Sequence, residues 1–379
     1  MPSLAREDDF PSCRQFAYLN TASVSLMHRA AHEAVDEWQA DVAQNGTYHF
    51  DERAEASILD ELHRAAARLV HAAPDDIAVA ANATELLGSL AWAILPAAGT
   101  NVVSTDTEFP SSTYAFARIS RHTGCEIRLA RGNPDYVEPG ELLGLIDDQT
   151  AVVCISHVEY GSGQRFDLKE LSDAAHSHGA LLVVDATQSA GMVPIDVTAM
   201  GVDALVCAGY KWLCGPFGAA FLYLAPRLQS ELDPGIVGWR SHRDLWDLRA
   251  DRLEYPATAH RFEFSTMSYG CAVGLARSID CIVDIGVDKI LEHDLQLTDI
   301  LVEGLREQGA EILSPMDQSQ RSAIVSAQIA GEDSTAVAKR LNAARVVVSA
   351  RANSIRFSPH LFNDADDIRR ALDELARGL

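Results

Sequence analysis

The chain of 379 residues lacks the features that would send it to a membrane, a secretory route or a nucleic acid. No apolar run approaches the ~18 residues needed to cross a bilayer, and the opening MPSLAREDDF is acidic without an apolar signal core, so a cytoplasmic location is expected. Basic residues are few. Lys plus Arg number 31 against 54 Asp plus Glu, a formal charge of −23, and no basic cluster reverses that field locally. Phosphate backbones and anionic lipid surfaces are repelled by such a field, so neither nucleic acid nor membrane is an expected partner. No CxxC occurs among Cys13, Cys125, Cys154, Cys207, Cys214, Cys271 and Cys281. Their odd number and wide spacing argue against a disulfide framework or a thiolate zinc site and fit a reducing compartment. Internal repeats and low-complexity tracts are also missing. The one HxxxH pair, His28 and His32, has Arg29 where a zinc protease would carry Glu; it reads as a solvated helix face, and no metal site is expected.

What is present is the composition of a globular enzyme: hydrophobic residues at 47%, charged residues at 22%, and length for two or three domains with a large core. From about Leu69 to Tyr223, short β-branched apolar runs alternate with helical patterns, the rhythm of βα units around a mostly parallel sheet. Strands are predicted at Asn101–Ser104, Ala151–Ser156, Ala180–Asp185, Ala204–Cys207 and Ala219–Tyr223, apolar enough to be buried on both faces. Asp167–His178 reads as a crossover helix stopped by Gly179. His176 and His178 lie near its positive-charge-favouring end. After Tyr269 the texture changes. One long helix is predicted from about Cys271 to Gln308, followed by short strands near 310–313, 323–329, 346–349 and 354–357 and helices at 334–344 and 364–377, a smaller α+β domain. The charged, Trp- and Pro-rich stretch 231–260 reads as an irregular wall for a substrate pocket.

The strongest local feature is a strand ending in Asp185, then ATQSAG, then a second strand ending in Ala208-Gly209-Tyr210-Lys211. Ligands of open α/β sheets sit beyond the carboxyl ends of the strands, so a carboxylate and an amine share one rim. A partly desolvated Lys loses proton affinity and can form a Schiff base, while a carboxylate can keep a pyridinium nitrogen protonated. An ordinary helix cap at Asp185 and a surface amine at Lys211 fit the same two residues equally well in isolation.

The neighbouring residues supply the context. The segment SHVEYGSGQRFDLKELSDAAHSHGALLVVDATQSAGMVPIDVTAMGVDALVCAGYKWLCGPFGAAFLYL resembles the pyridoxal-phosphate enzymes of fold-type I along its whole length. The match is to the class V aminotransferase group that includes cysteine desulfurases, isopenicillin-N-epimerase-like proteins and kynureninase. Supporting pieces are Tyr18-Leu19-Asn20-Thr21-Ala22, NATELLGSLAW from Asn82, TEFPSS from Thr107, RFEFSTMSYG from Arg261 and SIRFSPHLFND from Ser354, so the resemblance covers nearly the whole chain. It implies an α/β fold: a large domain with a mostly parallel, seven-stranded sheet flanked by helices (residues 21–255), a smaller C-terminal α+β domain (256–379), and an N-terminal segment (1–20) packed on the latter.

The resemblance also implies roles. Lys211 would hold pyridoxal 5'-phosphate and then shuttle a proton at the substrate Cα; Asp185 would pair with the pyridine nitrogen, and Gln188 would lie near the ring hydroxyl. Phe109 stands where desulfurases carry a stacking His, so a phenyl face is expected over the ring, although a core position is the commoner fate of Phe. Ala83 and Thr84, at a helix start behind Asn82, would cradle the phosphate, a position a plain N-cap would also fill. Tyr210 would add a phenolic donor to the phosphate, and Thr266 corresponds to a position that reaches it from a partner subunit, implying a homodimer with shared active sites. Arg356 would clamp the α-carboxylate of a small amino-acid substrate. Tyr160, Asn20 and Arg240 are further substrate-side candidates; Arg240, with Arg351 and His360, is a softer one, for which a surface ion pair is the ordinary alternative.

Departures shape the expected reaction. Desulfurases of this group need a nucleophilic Cys shortly before the carboxylate-binding arginine, and here that stretch is VVVSARANSIR. Aminotransferase-type or side-chain lyase chemistry is therefore expected rather than persulfide formation, with the cysteines small and inert. HVEYGSGQ and the Tyr-Lys pair look like kynureninase, yet DATQSAG stands where that family tends to have DLAHSAG, so a kynureninase-like hydrolase, a β-eliminating lyase or an epimerase stays open. A non-catalytic scaffold is the reading from another class; retention of Lys211, Asp185 and Arg356 argues against it.

Overall fold

Seven strands form the central sheet in a computed structural model that describes residues 1–133 and 136–377. After a short N-terminal strand β1 (Ala17–Tyr18), these are β2 (Ile77–Ala80), β3 (Asn101–Thr105), β4 (Glu126–Ala130), β5 (Thr150–Ser156), β6 (Leu181–Asp185), β7 (Ala204–Ala208) and β8 (Ala220–Leu224). Their order is β2-β8-β7-β6-β5-β3-β4, and β8 alone runs against the others, pairing antiparallel with both neighbours. The five apolar runs seen in the sequence are strands within a residue or two of their expected ends. β2 and β4 were not predicted. β2 is four residues of Ile, Ala and Val with no alternation, and β4 is a half-exposed edge strand carrying Glu126 and Arg128.

Helices cover both faces because βαβ crossovers return the chain over the sheet. The helix Ala83–Ile94 starts where Asn82 accepts a hydrogen bond from the Glu85 amide (2.9 Å). Leu168–Ser177 starts on Asp167, whose carboxylate accepts from the amides of Lys169 and Glu170, and Gly179 follows it at φ +75°. His28, expected on a solvated face, is instead the buried N-cap of Arg29–Asn45 and accepts from the Ala30 amide. His176 and His178 pair with Asp203 and Asp148.

The single long helix expected over 271–308 is two helices, Tyr269–Ile285 and Val287–Glu307, because Gly286 sits at φ +97° and turns the chain. Tyr269–Ile285 packs on Arg29–Asn45 and Asp60–Val70, and its Ala272, Leu275, Ile279 and Ile282 belong to the large core. A side chain at Gly274 would meet Val35 at 2.6 Å and the Ala31 carbonyl at 2.9 Å, so the two helices touch backbone to backbone only because that residue is glycine.

A second core begins at Leu297. It lies under the sheet β12-β13-β10-β9, formed by β9 (Glu311–Ile312), β10 (Val325–Gln328), β12 (Ser349–Arg351) and β13 (Ser354–Phe357). The remaining strand, β11 (Val346–Val347), pairs in parallel with β1, and Ala17 and Leu19 enter this core. Among the described residues no helix is long and apolar enough to cross a membrane.

Candidate active site

The carboxyl ends of three adjacent strands form the floor of a cleft. Register places Ser156 of β5 beside Asp185 of β6, and Asp185 beside Val206 of β7, two residues before Ala208. Ser156, Asp185 and Ala208 all line the cleft, with Thr187 and Gln188 from the turn after β6. On one side stands the start of helix Ala83–Ile94, contributing Asn82, Ala83 and Thr84; on the other, Tyr210 and Lys211 follow β7. Phe109, Ser111 and Tyr160 complete the lining. Asp185, Gln188, Lys211, Thr84, Ala83, Phe109, Tyr210 and Tyr160, separated by up to 128 positions in the chain, are thus brought to one place.

Lys211 is fixed by the tight loop that carries it. The Gly209 amide donates to Ala219 O (3.0 Å), the Gly215 amide to Gly209 O (2.9 Å) and the Cys214 amide to Lys211 O (2.8 Å). Trp212 is clamped at both ends: its indole N–H donates to Gln188 Oε1 (2.8 Å), and its carbonyl lies 3.0 Å from His360 Nε2. The Lys211 amine sits 5.6 Å from the Phe109 ring centre and 5.8 Å from that of Tyr210, with no salt bridge among the described residues. Burial lowers its pKa to about 8, opposed by Asp185 and reinforced by Arg356. A neutral amine is accessible near neutral pH, as a nucleophile or a proton carrier requires.

Asp185 accepts from the Thr187 amide at 2.9 Å and is buried. Two further acids lie behind the floor. Glu108 accepts from the Ser156 amide and hydroxyl, both at 2.6 Å, and burial pushes its pKa well up; burial takes Glu159 to about 7, against hydroxyl donors Thr105 and Thr107. Burial thus shifts both of these acids toward their neutral forms relative to an exposed glutamate.

Behind Tyr160 stands β13, which reaches the cleft lining through a hydrogen bond to the Tyr160 carbonyl. Arg356 is 1% exposed and donates to Tyr160 O (2.6 Å) and Ser23 Oγ (2.7 Å); burial and the neighbouring Arg351 bring its pKa to about 9. Asn20 lies in the adjoining segment, bridged to Ser358, with its side-chain oxygen buried and without a partner.

Three candidates are placed elsewhere in the chain. Arg240 is buried between the rings of Trp239 and Tyr269, donating to Glu55 O and facing Glu263. Thr266 is exposed and accepts from the Trp239 indole N–H (3.3 Å). His360 is not a pocket residue. Its Nδ1 lies 2.9 Å from Asp294 within the core, and although burial alone would lower its pKa, Asp294 raises it to about 10. Gln188 lines the cleft, yet both ends of its amide are already engaged, the nitrogen by Ala22 O and the oxygen by Trp212. Sequence reasoning did not single out Ser111, whose hydroxyl lies 2.9 Å from that of Thr84, although TEFPSS held it, nor Ser23, which no motif marked. Burial raises the pKa of the Cys154 and Cys207 thiols well above the ordinary range.

These donors suit pyridoxal phosphate. A helix of 12 residues presents its first amides beside the hydroxyls of Thr84, Ser111 and Tyr210 where a phosphate would need donors, Asp185 offers the carboxylate a pyridine nitrogen needs, and Lys211 offers an amine without an ion pair. The exposed Phe109 ring is edge-on to Tyr160 at 5.5 Å.

Comparison with known proteins agrees. The aminotransferase class-V family model matches residues 17–370. An uncharacterized aminotransferase of Bacillus subtilis, YcbU, is 28% identical over 97% of this chain and 95% of its own length. A probable cysteine desulfurase of Methanothermobacter thermautotrophicus is 30% identical over 77% of this chain and 73% of its own. Among solved structures, a cystine C–S lyase in complex with its reaction product, cysteine persulfide, superposes with a TM-score of 0.88 at 23% identity, covering 97% of this chain and 99% of that one. The fold, the Lys211–Asp185 rim and the match over residues 17–370 together place the chain in the aminotransferase class-V family of pyridoxal-phosphate-dependent enzymes.

Proposed function

We propose that this enzyme acts on a small amino acid or amino-acid-derived metabolite by aminotransferase-type or side-chain lyase chemistry, without forming a persulfide on a cysteine of its own. One observation carries the reading: the buried Lys211 amine, free of any salt bridge among the described residues, shares a cleft with Asp185, and the carbonyl of Tyr160 in that cleft accepts a hydrogen bond from Arg356. Bound pyridoxal phosphate supplies an electron sink for a bond broken at Cα. The chain's own groups do the rest. Thr84, Ser111, Tyr210 and the helix amides would hold the phosphate, Asp185 would keep the ring nitrogen protonated, Phe109 would supply an apolar face beside the ring, Arg356 would orient the substrate carboxylate, and Lys211 would carry the proton to and from Cα.

Against desulfuration stands the turn between β12 and β13, Ala352-Asn353, which has no thiol, in a chain with no cysteine after Cys281. The relatives named as probable cysteine desulfurases make this the point most in need of measurement. Loaded protein mixed with a panel of amino acids separates the cases. A keto acid with conversion of the cofactor to its amine form indicates transamination; pyruvate or alanine without an amino acceptor indicates a lyase or hydrolase; sulfide or a protein persulfide from cysteine refutes the exclusion. Loss of the visible cofactor band in Lys211→Ala is expected, and its persistence would overturn the site. A kynureninase-like hydrolase, β-eliminating lyase or epimerase is the second reading, supported by Tyr210 beside Lys211 and by the Val158–Arg165 bridge that shapes the HVEYGSGQ turn. A cytoplasmic homodimer is part of the proposal. The exposed Thr266 and the half-buried Trp239 beside it fit a surface that completes a partner's site, and sedimentation at twice the chain mass of 41.1 kDa is the expected result.

A further inference from the structure

Two guanidinium groups converge on one hydroxyl beside the Lys211 loop. Arg356 Nη2 donates to Ser23 Oγ at 2.7 Å, and Arg351 Nη2 donates to the same oxygen at 3.0 Å. Their other contacts are carbonyls, Tyr160 O for Arg356 (2.6 Å) and Ala350 O for Arg351 (2.9 Å), and the Nε of Arg356 is buried without an acceptor. Neither has a carboxylate at salt-bridge distance among the described residues, in a chain where acids outnumber bases 54 to 31. Elsewhere in the same molecule buried or half-buried arginines do find carboxylates: Arg240 faces Glu263, Arg321 pairs with Asp299 and Arg128 with Asp147.

A neutral hydroxyl cannot balance two cations. Arg356 feels the repulsion from Arg351 as well as its burial, and both arginines lower the proton affinity of Lys211, so the cluster has charge to spare. The phosphate of the cofactor would be met elsewhere, at the helix start by Thr84, and its ring nitrogen on the floor by Asp185. One substrate carboxylate would balance Arg356 alone. Arg351, on β12 opposite Ser354 of β13 and more exposed than Arg356, would be left over.

We infer that the substrate carries a second anionic group, received by Arg351 while Arg356 takes the α-carboxylate, and that it therefore belongs to the dicarboxylic amino acids. This rests on the proposed reading of the cleft as an amino-acid site and deepens it. Ser23 Oγ marks where the two guanidiniums meet, between the two anionic ends of the ligand.

The test is an equilibrium titration of the cofactor-loaded protein, following its visible band at constant ionic strength, with L-aspartate against L-alanine and L-glutamate against L-norvaline. The acidic member of each pair is expected to bind ~10- to 100-fold more tightly, the range of one charge-assisted pair. Arg351→Gln should collapse that ratio toward one, and Arg351→Lys should restore part of it. A second readout needs no cofactor: succinate should raise the thermal midpoint of the unloaded protein more than butyrate, an advantage that disappears in Arg351→Gln. Equal binding of acidic and neutral amino acids by the wild type would overturn the inference. So would an Arg351→Gln variant that weakens both classes by one common factor, because the two arginines would then share a single carboxylate. Absence of a visible band in the wild type would instead overturn the cofactor reading, and this inference with it.

Discussion

Replacing Lys211 with Met should make the cofactor-free protein more stable. The amine is 8% exposed and its pKa falls from 10.5 to about 8, which at ~1.4 kcal/mol per pH unit is a cost of about 3 kcal/mol for keeping the charged form in the fold. Below pH 8 folded and unfolded chains both hold the proton, so the whole cost is present. Between pH 8 and 10.5 the folded chain has lost it while the unfolded chain keeps it, and the cost shrinks as pH rises. Lys211→Met removes the charge and keeps the length of the side chain. Denaturant unfolding at pH 7 should therefore show the variant ahead by up to about 3 kcal/mol, and the gap should narrow to under ~1 kcal/mol at pH 10. Taking the difference between the two proteins isolates Lys211 from every other titrating group. A variant less stable than the parent at pH 7, or a gap that does not change with pH, would refute the reasoning.

Three further perturbations are expected to read out separately. Asp294→Ala leaves the His360 imidazolium buried without its partner and should cost ~3–5 kcal/mol. Because Asp294 raises the His360 pKa to about 10, that contribution is full below pH ~6.5 and lost as pH rises toward 10, so unfolding midpoints of parent and variant should converge over that range. Gly191→Ala puts a Cβ 2.5 Å from the Trp212 carbonyl at φ +93°, and is expected to cost more than ~1 kcal/mol and to loosen cofactor retention by displacing the Lys211 loop, checked by unfolding and by dialysis. Asn82→Ala removes the cap of the helix beside the cleft; a loss of ~1 kcal/mol in unfolding with weaker cofactor retention is the expected pair of results.

The parts of the fold legible in the sequence were those with strong local signals. β6 is a buried apolar run ending in Asp185 and β7 one followed directly by Gly209, and the sheet brings Asp185 and Lys211 to one rim as the strand-end rule requires. β2 was not legible because IAVA has no alternation, and the break at Gly286 was missed because helical periodicity continues across it. The site divided in the same way. Lys211 and Asp185 carry chemistry in their residue types and their spacing, whereas Ser23 is an ordinary serine until β12 and β13 deliver two arginines to it. Arg240 and His360 looked like candidates on charge alone; their roles were decided by Glu263 and Asp294, which lie 23 and 66 positions away and share no pattern with them.

The segment from Ala17 to His28 ties the two ends of the chain to the cleft. β1 pairs with β11, the Ala22 amide donates to Ser358 Oγ across 336 positions, and the Ser25 amide donates to Tyr210 O. Vectorial synthesis therefore makes the beginning of the protein wait for its end. Until residues 346–358 emerge, β1 has no partner strand and Ser23 meets neither arginine, while the seven-stranded sheet already has all its members by Leu224. Closing so long a loop is a late and slow event. The nascent chain thus folds its cofactor platform first and acquires the arginine wall last, so a ribosome-bound intermediate stalled before residue 346 should hold the Lys211 rim without the capacity to select a substrate.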